Sequence, residues 1–234
     1  MLMVVKEVVK KVLLGKRYDS NSYIKYLRST GCEIGNDTII YDPSKTHVDT
    51  TRPWLITIGN HVRIAGGVTI LTHGYDWSVL KGVYGDILGS AGRVVIGDNV
   101  FIGTQTTILK SVHIGNNVII GANSLVNKDI PDNCVAAGNP CKVIMNLEDY
   151  HEKRKAAQIK EAKELVVLYR ERYGKDPDEQ ALHEFFWLFT NGDDELPGCW
   201  NNMMHLGGNY DFSKQIHKKS RKQFENLTDF LNRI

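Results

Sequence analysis

The sequence predicts a mainly β protein: a coil of short parallel strands, with a helical segment at its amino end and an α-helical extension at its carboxyl end. Three observations predict it. Aliphatic residues recur at every sixth position through the middle of the chain, glycine directly follows many of them, and charge is sparse there but dense in the flanks. A helix would want apolar spacings of three and four, and a half-buried strand would want continuous alternation. Period six suits a short strand followed by a tight corner, repeated as a stack.

The first segment, residues 1–30, carries seven Lys/Arg and two acids. Met3, Val4, Val8, Val12 and Leu13 make residues 2–14 an amphipathic helix without a cleavage-like end, so neither a signal peptide nor a membrane span is expected. Packing on the end of the coil is the expected role, and membrane contact is not.

Residues 31–146 form the coil. Ile96, Ile102, Ile108, Ile114, Ile120 and Val126 fall six apart, and Gly97, Gly103, Gly115 and Gly121 follow four of them. The same phase recurs earlier as Ile34-Gly35, Ile40, Ile58-Gly59, Ile64 and Ile70. Four residues after each aliphatic stands a second small or β-branched one: Thr38, Val62, Val68, Val100, Thr106, Val112, Val118 and Ser124. The strand then supplies inward residues two apart, and glycine is expected to supply backbone freedom at the bend. Fifteen of the 21 glycines lie between Gly31 and Gly138.

Two interruptions mark the repeat. Between Ile40 and Ile58 the spacing is three whole hexads, although Thr46 and Arg52 stand where aliphatics should be, so that coil is expected to keep its length. Between Ile70 and Ile96 there are twenty residues more than one hexad, giving an inserted loop at about 74–93 that opens directly after His73. Long loops in compact domains are more often functional than not.

The extension, residues 147–234, carries 30 charged residues among 88. A charged helix is predicted from about Asp149 to Tyr173. Asp176-Pro177-Asp178-Glu179 reads as the start of a second, with Leu182, Phe185, Phe186 and Phe189 as its apolar stripe, and a third runs from Ser213 to about Asn232.

Composition narrows the function. Over 234 residues, 29 basic and 27 acidic side chains leave a formal net charge of +2, so nothing asks for nucleic acid or a strongly acidic partner. No apolar run approaches the ~18 residues that cross a bilayer. Cys32, Cys134, Cys141 and Cys199 contain no C-x-x-C pair, which argues against a zinc knuckle or a thioredoxin-like site and fits a reducing, cytoplasmic compartment.

His73 is the candidate catalytic residue. It is the fourth member of its hexad, a register that points away from the apolar column, and it heads the insert. An imidazole can take a hydroxyl proton near neutral pH. His61 shares the register and His113 ends its hexad, but neither opens a loop, and both read as structural. Asp49, Asp76 and Trp77 are candidate substrate contacts, a carboxylate and an aromatic ring able to meet polar and flat faces of a small molecule; Trp54 sits beside Asp49 in the irregular coil. Cys134 and Cys141 lie seven residues apart with no adjacent histidine and read as packed residues rather than nucleophiles.

Val95-Ile96-Gly97-Asp98-Asn99-Val100-Phe101-Ile102-Gly103, Ile120-Gly121-Ala122-Asn123-Ser124-Leu125-Val126-Asn127-Lys128-Asp129-Ile130-Pro131 and Ala136-Ala137-Gly138-Asn139-Pro140-Cys141-Lys142-Val143-Ile144 resemble the hexapeptide-repeat acyltransferases, closest to the galactoside, maltose and capsular-polysaccharide O-acetyltransferases. The resemblance spans about residues 31–146. It implies a left-handed parallel β-helix with three hexads per turn, a homotrimer with active sites between subunits, and acetyl-CoA as cosubstrate with no metal. It also implies acetyl transfer to a saccharide or other small hydroxyl acceptor, with the histidine at the head of the insert as base and no covalent acyl-enzyme.

Position by position, the resemblance gives Thr104, Ala122, Asn127, Lys128 and Lys142 as coenzyme A contacts. Asn127 departs from a usual threonine, and Met145 from a common basic residue. Serine or antibiotic acceptors are variants of the same chemistry. The zinc carbonic anhydrase on this coil needs a short histidine pair that His61, His73 and His113 do not supply, and a non-catalytic binding protein is the remaining alternative.

Overall fold

The computed structural model describes residues 11–234. The amphipathic segment expected over 2–14 therefore lies largely outside the described residues. The chain divides into a unit ending at Tyr150 and a second unit, His151–Ile234.

The first unit is a parallel β-helix with three sheets. One holds Glu33–Ile34, Ile56–Ile58, Val94–Ile96 and His113–Ile114; a second holds Ile39–Ile40, Arg63–Ile64, Val100–Ile102, Val118–Ile120 and Cys134–Ala137; the third holds His47–Val48, Thr69–Ile70, Thr107–Ile108 and Leu125–Val126. Lys142–Asn146 closes the second sheet as its one antiparallel member. Register runs Ile34, Ile58, Ile96, Ile114 in the first sheet, Ile40, Ile64, Ile102, Ile120 in the second and Val48, Ile70, Ile108, Val126 in the third. All but Ile34 are buried, and so are the eight small or β-branched residues four positions after an aliphatic. The apolar column is thus built from both predicted members of each hexad.

The corners work differently from the sequence expectation. Backbone with φ between 53° and 62° falls three residues after the aliphatic, at Asp37, His61, Asn99, Gln105, Ser111, Asn117, Asn123 and Asn133, mostly short polar side chains that tolerate this region. The glycines that follow the aliphatics are needed for a different reason, the close approach of one coil to the next. A Cβ on Gly35 would lie 2.5 Å from the carbonyl carbon of Gly59, and one on Gly103 would lie 2.5 Å from the amide nitrogen of Ala122.

The irregular coil also departs from expectation. Its third strand is anchored by Val48, not Thr46, so eight residues separate Ile40 from Val48 and ten separate Val48 from Ile58. That coil carries six residues more than the regular eighteen, placed at the corners on either side of His47–Val48. The insert is not a bare loop: Trp77–Tyr84 forms a helix that ends on Gly85 at φ 85°.

The helical segment expected over residues 1–30 holds a helix at its carboxyl end. Helix α1, Ser20–Thr30, is capped by the Asp19 carboxylate, which accepts from the Ser22 N–H at 2.7 Å, and it ends on Gly31 at φ 112°. Its Tyr23, Ile24 and Leu27 join Cys32, Ile40 and Val48 in one buried cluster, covering the first coil. The helix of the insert is α2, Trp77–Tyr84.

The second unit is helical. Helix α3, Leu147–Tyr173, begins at the end of the first unit and runs into the second, where α4 (Gly198–His205), α5 (Tyr210–Lys219) and α6 (Leu227–Asn232) follow. Ala162, Val166, Leu182, Phe186, Leu188, Phe189, Trp200, Met204 and Phe230 form its core. The helix predicted to start at Asp176 does not form. Asp176 instead accepts from the Arg170 guanidinium at 2.6 Å, and the Glu179 carbonyl accepts from the Trp200 indole at 2.9 Å, so the predicted stripe reaches the core through turns and a 3-10 segment, Phe186–Leu188. The helix predicted from Ser213 to Asn232 is broken. The N–H groups of Gln223 and Phe224 both turn to the Leu188 carbonyl, and Asn226 caps a new helix by accepting from the Asp229 N–H.

Candidate active site

The site grows from one corner of the coil, the one that follows the third sheet. Val48 pairs with Ile70, Ile70 with Ile108 and Ile108 with Val126, so positions two residues later stack as Thr50, Thr72, Lys110 and Lys128. Positions three residues later stack as Thr51, His73, Ser111 and Asp129. In the first two coils this corner has been opened, by the extra residues after Val48 and by the insert after His73. That opening lets side chains from adjacent coils meet.

They meet around one carboxylate. Asp49 is 3% exposed. Its Oδ1 accepts from the Thr51 N–H at 3.0 Å and the Thr51 hydroxyl at 2.7 Å. Its Oδ2 accepts from the Thr72 N–H at 3.1 Å, from the Thr72 hydroxyl, and from His73 Nδ1 at 2.6 Å. Burial alone would push this carboxyl up, but the hydroxyl and N–H donors of Thr51 and Thr72 outweigh it and hold the group far below the usual carboxylate range.

An ionised carboxylate accepts only, so the proton of neutral His73 sits on Nδ1 and the lone pair on Nε2. Thr51 Oγ1 adds a contact to Nδ1 at 3.4 Å. The imidazole side chain is 10% exposed. Its backbone is held where the insert leaves the coil: His73 bridges Ala91 in antiparallel fashion, Gly74 N–H donates to the Ser90 carbonyl, and Gly92 N–H donates to the Thr72 carbonyl. The arrangement is a histidine fixed in ring orientation and tautomer, with its second nitrogen free to accept a proton.

The other candidates fall at different distances from this centre. Asp49, expected to face the acceptor, turns both oxygens to Thr51, Thr72 and His73. Asp76 is exposed and its Oδ1 lies against Gly74, while Trp77 opens α2 and stands 6.3 Å from the ring of Tyr75, which itself meets His73. Thr104 and Ala122 stack on the neighbouring corner, where Gly103 approaches the Ala122 backbone and Asn123 N–H donates to the Thr104 carbonyl. Asn127 and Lys128 lie on the corner of His73, and Lys142 starts the final strand opposite Ala137. All five coenzyme A candidates are exposed, but Lys128 and Lys142 stand on different corners of this chain.

Thr51 and Thr72, whose N–H groups and hydroxyls hold Asp49, were not singled out from the sequence. The hexad register, which puts Thr72 directly before His73 at the opened corner, is the signal that would have found Thr72. Burial pushes the thiols of Cys134 and Cys141 up, away from a reactive thiolate.

Residues 93–128 match the sequence family described as bacterial transferase hexapeptide (six repeats). The chain is 42% identical to protein CapG of Staphylococcus aureus over 127 residues, which covers 54% of this chain and 73% of that one. It is 42% identical to the galactoside O-acetyltransferase of Escherichia coli over 96 residues, 41% of this chain and 46% of that one. Among solved structures, a maltose O-acetyltransferase from Clostridium difficile aligns at 30% identity with a TM-score of 0.40, covering 62% of this chain and 88% of that one. The stacked six-residue repeats and these matched relatives together make the chain a member of the hexapeptide-repeat acetyltransferase family.

Proposed function

We propose that the protein transfers acetyl from acetyl-CoA to a hydroxyl of a saccharide or polysaccharide precursor, with His73 as general base. The observation that carries the proposal is the 2.6 Å pairing of His73 Nδ1 with the buried, ionised Asp49, which leaves Nε2 as the acceptor of the hydroxyl proton. As that proton moves to Nε2, the acceptor oxygen attacks the thioester carbonyl, and backbone N–H groups at the corner stabilise the oxyanion. When the tetrahedral intermediate collapses, the C–S bond breaks and the imidazolium returns its proton to the leaving thiolate. The products are the O-acetyl ester and free coenzyme A, with no acyl-enzyme.

Thr104, Ala122 and Asn127 would line the coenzyme along the coil, and Lys128 and Lys142 would meet its phosphates, joined by Lys110 from the stack under His73. The exposed ammonium groups of Lys128 and Lys142, with the half-buried Lys110, suit a polyanion and support this reading. Asp76 and Trp77 would meet the acceptor. Asp49 acts through His73 as a positioning residue rather than touching the acceptor. A homotrimer with sites between subunits, and a cytoplasmic setting, belong to the same proposal.

Coenzyme A release, followed with a thiol reagent across a panel of pyranosides, serine and water, tests it. The wild type should release thiol with a pyranoside well above the water rate, and His73→Ala should lose at least a hundredfold in turnover with an unchanged circular dichroism spectrum. Near-full activity in His73→Ala overturns the assignment.

A further inference from the structure

The corner that fixes His73 also brings it an aromatic neighbour with no assigned role. Tyr75 is 68% exposed, yet its ring stands edge-on to His73, with centroids 4.9 Å apart and planes at 75°. Trp77 continues the aromatic surface 6.3 Å further out. Core packing does not hold a side chain this exposed. Its position follows from the backbone on either side, where Gly74 is tied to Ser90 and the Tyr75 carbonyl accepts from Ser78 N–H at the start of α2.

Asp49 occupies the Nδ1 side of the imidazole, so an acceptor hydroxyl must come to Nε2. Whatever carries that hydroxyl then lies within reach of the phenol ring. A pyranose offers a flat face of C–H groups that suits an aromatic surface, and it is already rigid. An open-chain polyol offers the same hydroxyls without the face and must lose rotational freedom to mimic it.

We infer that Tyr75 is a specificity-determining residue of the acceptor site, selecting cyclic saccharides over open-chain polyols by stacking the ring face while the reacting hydroxyl meets His73. The inference rests on the acetyl-transfer reading of His73. Such a contact discriminates only through the difference it makes between two acceptors.

The test is the ratio of kcat/KM for a methyl pyranoside to kcat/KM for the matching sugar alcohol, measured at saturating acetyl-CoA for wild type, Tyr75→Phe and Tyr75→Ala. Tyr75→Phe keeps the ring and should hold the ratio. Tyr75→Ala should lower it by about threefold to tenfold, mainly through the KM of the pyranoside. A ratio unchanged in Tyr75→Ala overturns the inference, including the case in which kcat falls equally for both acceptors because the ring only props the imidazole. The two readings fail differently: a wild type that transfers to no acceptor removes the acetyl-transfer reading, whereas an active wild type with an unchanged ratio removes only the role of Tyr75.

Discussion

Asp49→Asn isolates the charge of the buried carboxylate from its shape. Five donors converge on the two oxygens of Asp49, and an asparagine offers one oxygen and one NH2 group in the same space. With the NH2 turned towards Thr72 and His73, the Thr72 N–H loses its acceptor, and His73 must move its proton to Nε2 to accept at Nδ1, which removes the base. With the NH2 turned towards Thr51, one backbone N–H is orphaned but Nδ1 keeps a neutral acceptor. The second arrangement costs less and is expected to dominate. It exchanges a hydrogen bond to a charged group, about 1.5–3 kcal/mol, for a neutral one of about 0.5–1.5 kcal/mol. The difference of about 1–2 kcal/mol predicts a fall in kcat of about fivefold to thirtyfold, with the KM of the acceptor little changed. Steady-state thiol release over a range of acceptor concentrations reads both constants. A wild-type kcat, or a loss confined to acceptor KM, would refute the positioning role and return Asp49 to substrate contact.

Lys110→Ala and Lys128→Ala should each raise the KM for acetyl-CoA about twofold to fivefold, the worth of an exposed ion pair, and the effect should shrink in high salt. Gly35→Ala, remote from His73, should destabilise the fold by about 1–3 kcal/mol in urea melts, because its Cβ would collide with the Gly59 backbone; a neutral result would mean that the coils are not packed this closely. His217 lies fully buried in the second unit, stacked on Trp187 at 4.5 Å with Nε2 on the Thr190 hydroxyl at 3.1 Å. Burial lowers its pKa, against smaller upward pulls from Thr190 and Asp194. A depressed histidine stabilises the fold above the unfolded value near 6.5 and loses that contribution as pH falls through it towards the folded value. Thermal melts followed by tryptophan fluorescence should therefore lose more stability between pH 7.5 and 5 in the wild type than in His217→Gln.

The coil was legible because each hexad speaks twice, once through an aliphatic and once through the small residue four places on, and both turn inward. What the period could not reveal was why glycine stands where it does. Ile-Gly looks the same whether the glycine bends the chain or lets a neighbouring coil approach, and only the stacked backbones distinguish the two. The period also misplaced the third anchor of the irregular coil: Thr46 has the right spacing and is buried, but its N–H and hydroxyl turn to the Asp42 carbonyl, and Val48 is the residue that pairs with Ile70. The place of His73 where the insert leaves the coil was legible from register and spacing. Asp49 was noticed but given the wrong partner, since a contact between coils depends on which corners have been opened. In the second unit, local capping signals at Asp176 competed with an ion pair to Arg170 and lost, because the aromatic residues reach their core without a regular helix.

The short antiparallel neck between Thr72-His73-Gly74 and Ser90-Ala91-Gly92 separates two tasks. The hydrogen bonds to the imidazole come from the coil and its backbone is tied by the neck, whereas the chain from Tyr75 to Gly89 lies beyond that neck and touches the imidazole only through the Tyr75 ring. On the proposed reading of His73 as base, residues beyond the neck could be exchanged by grafting while Asp49 keeps the imidazole in place.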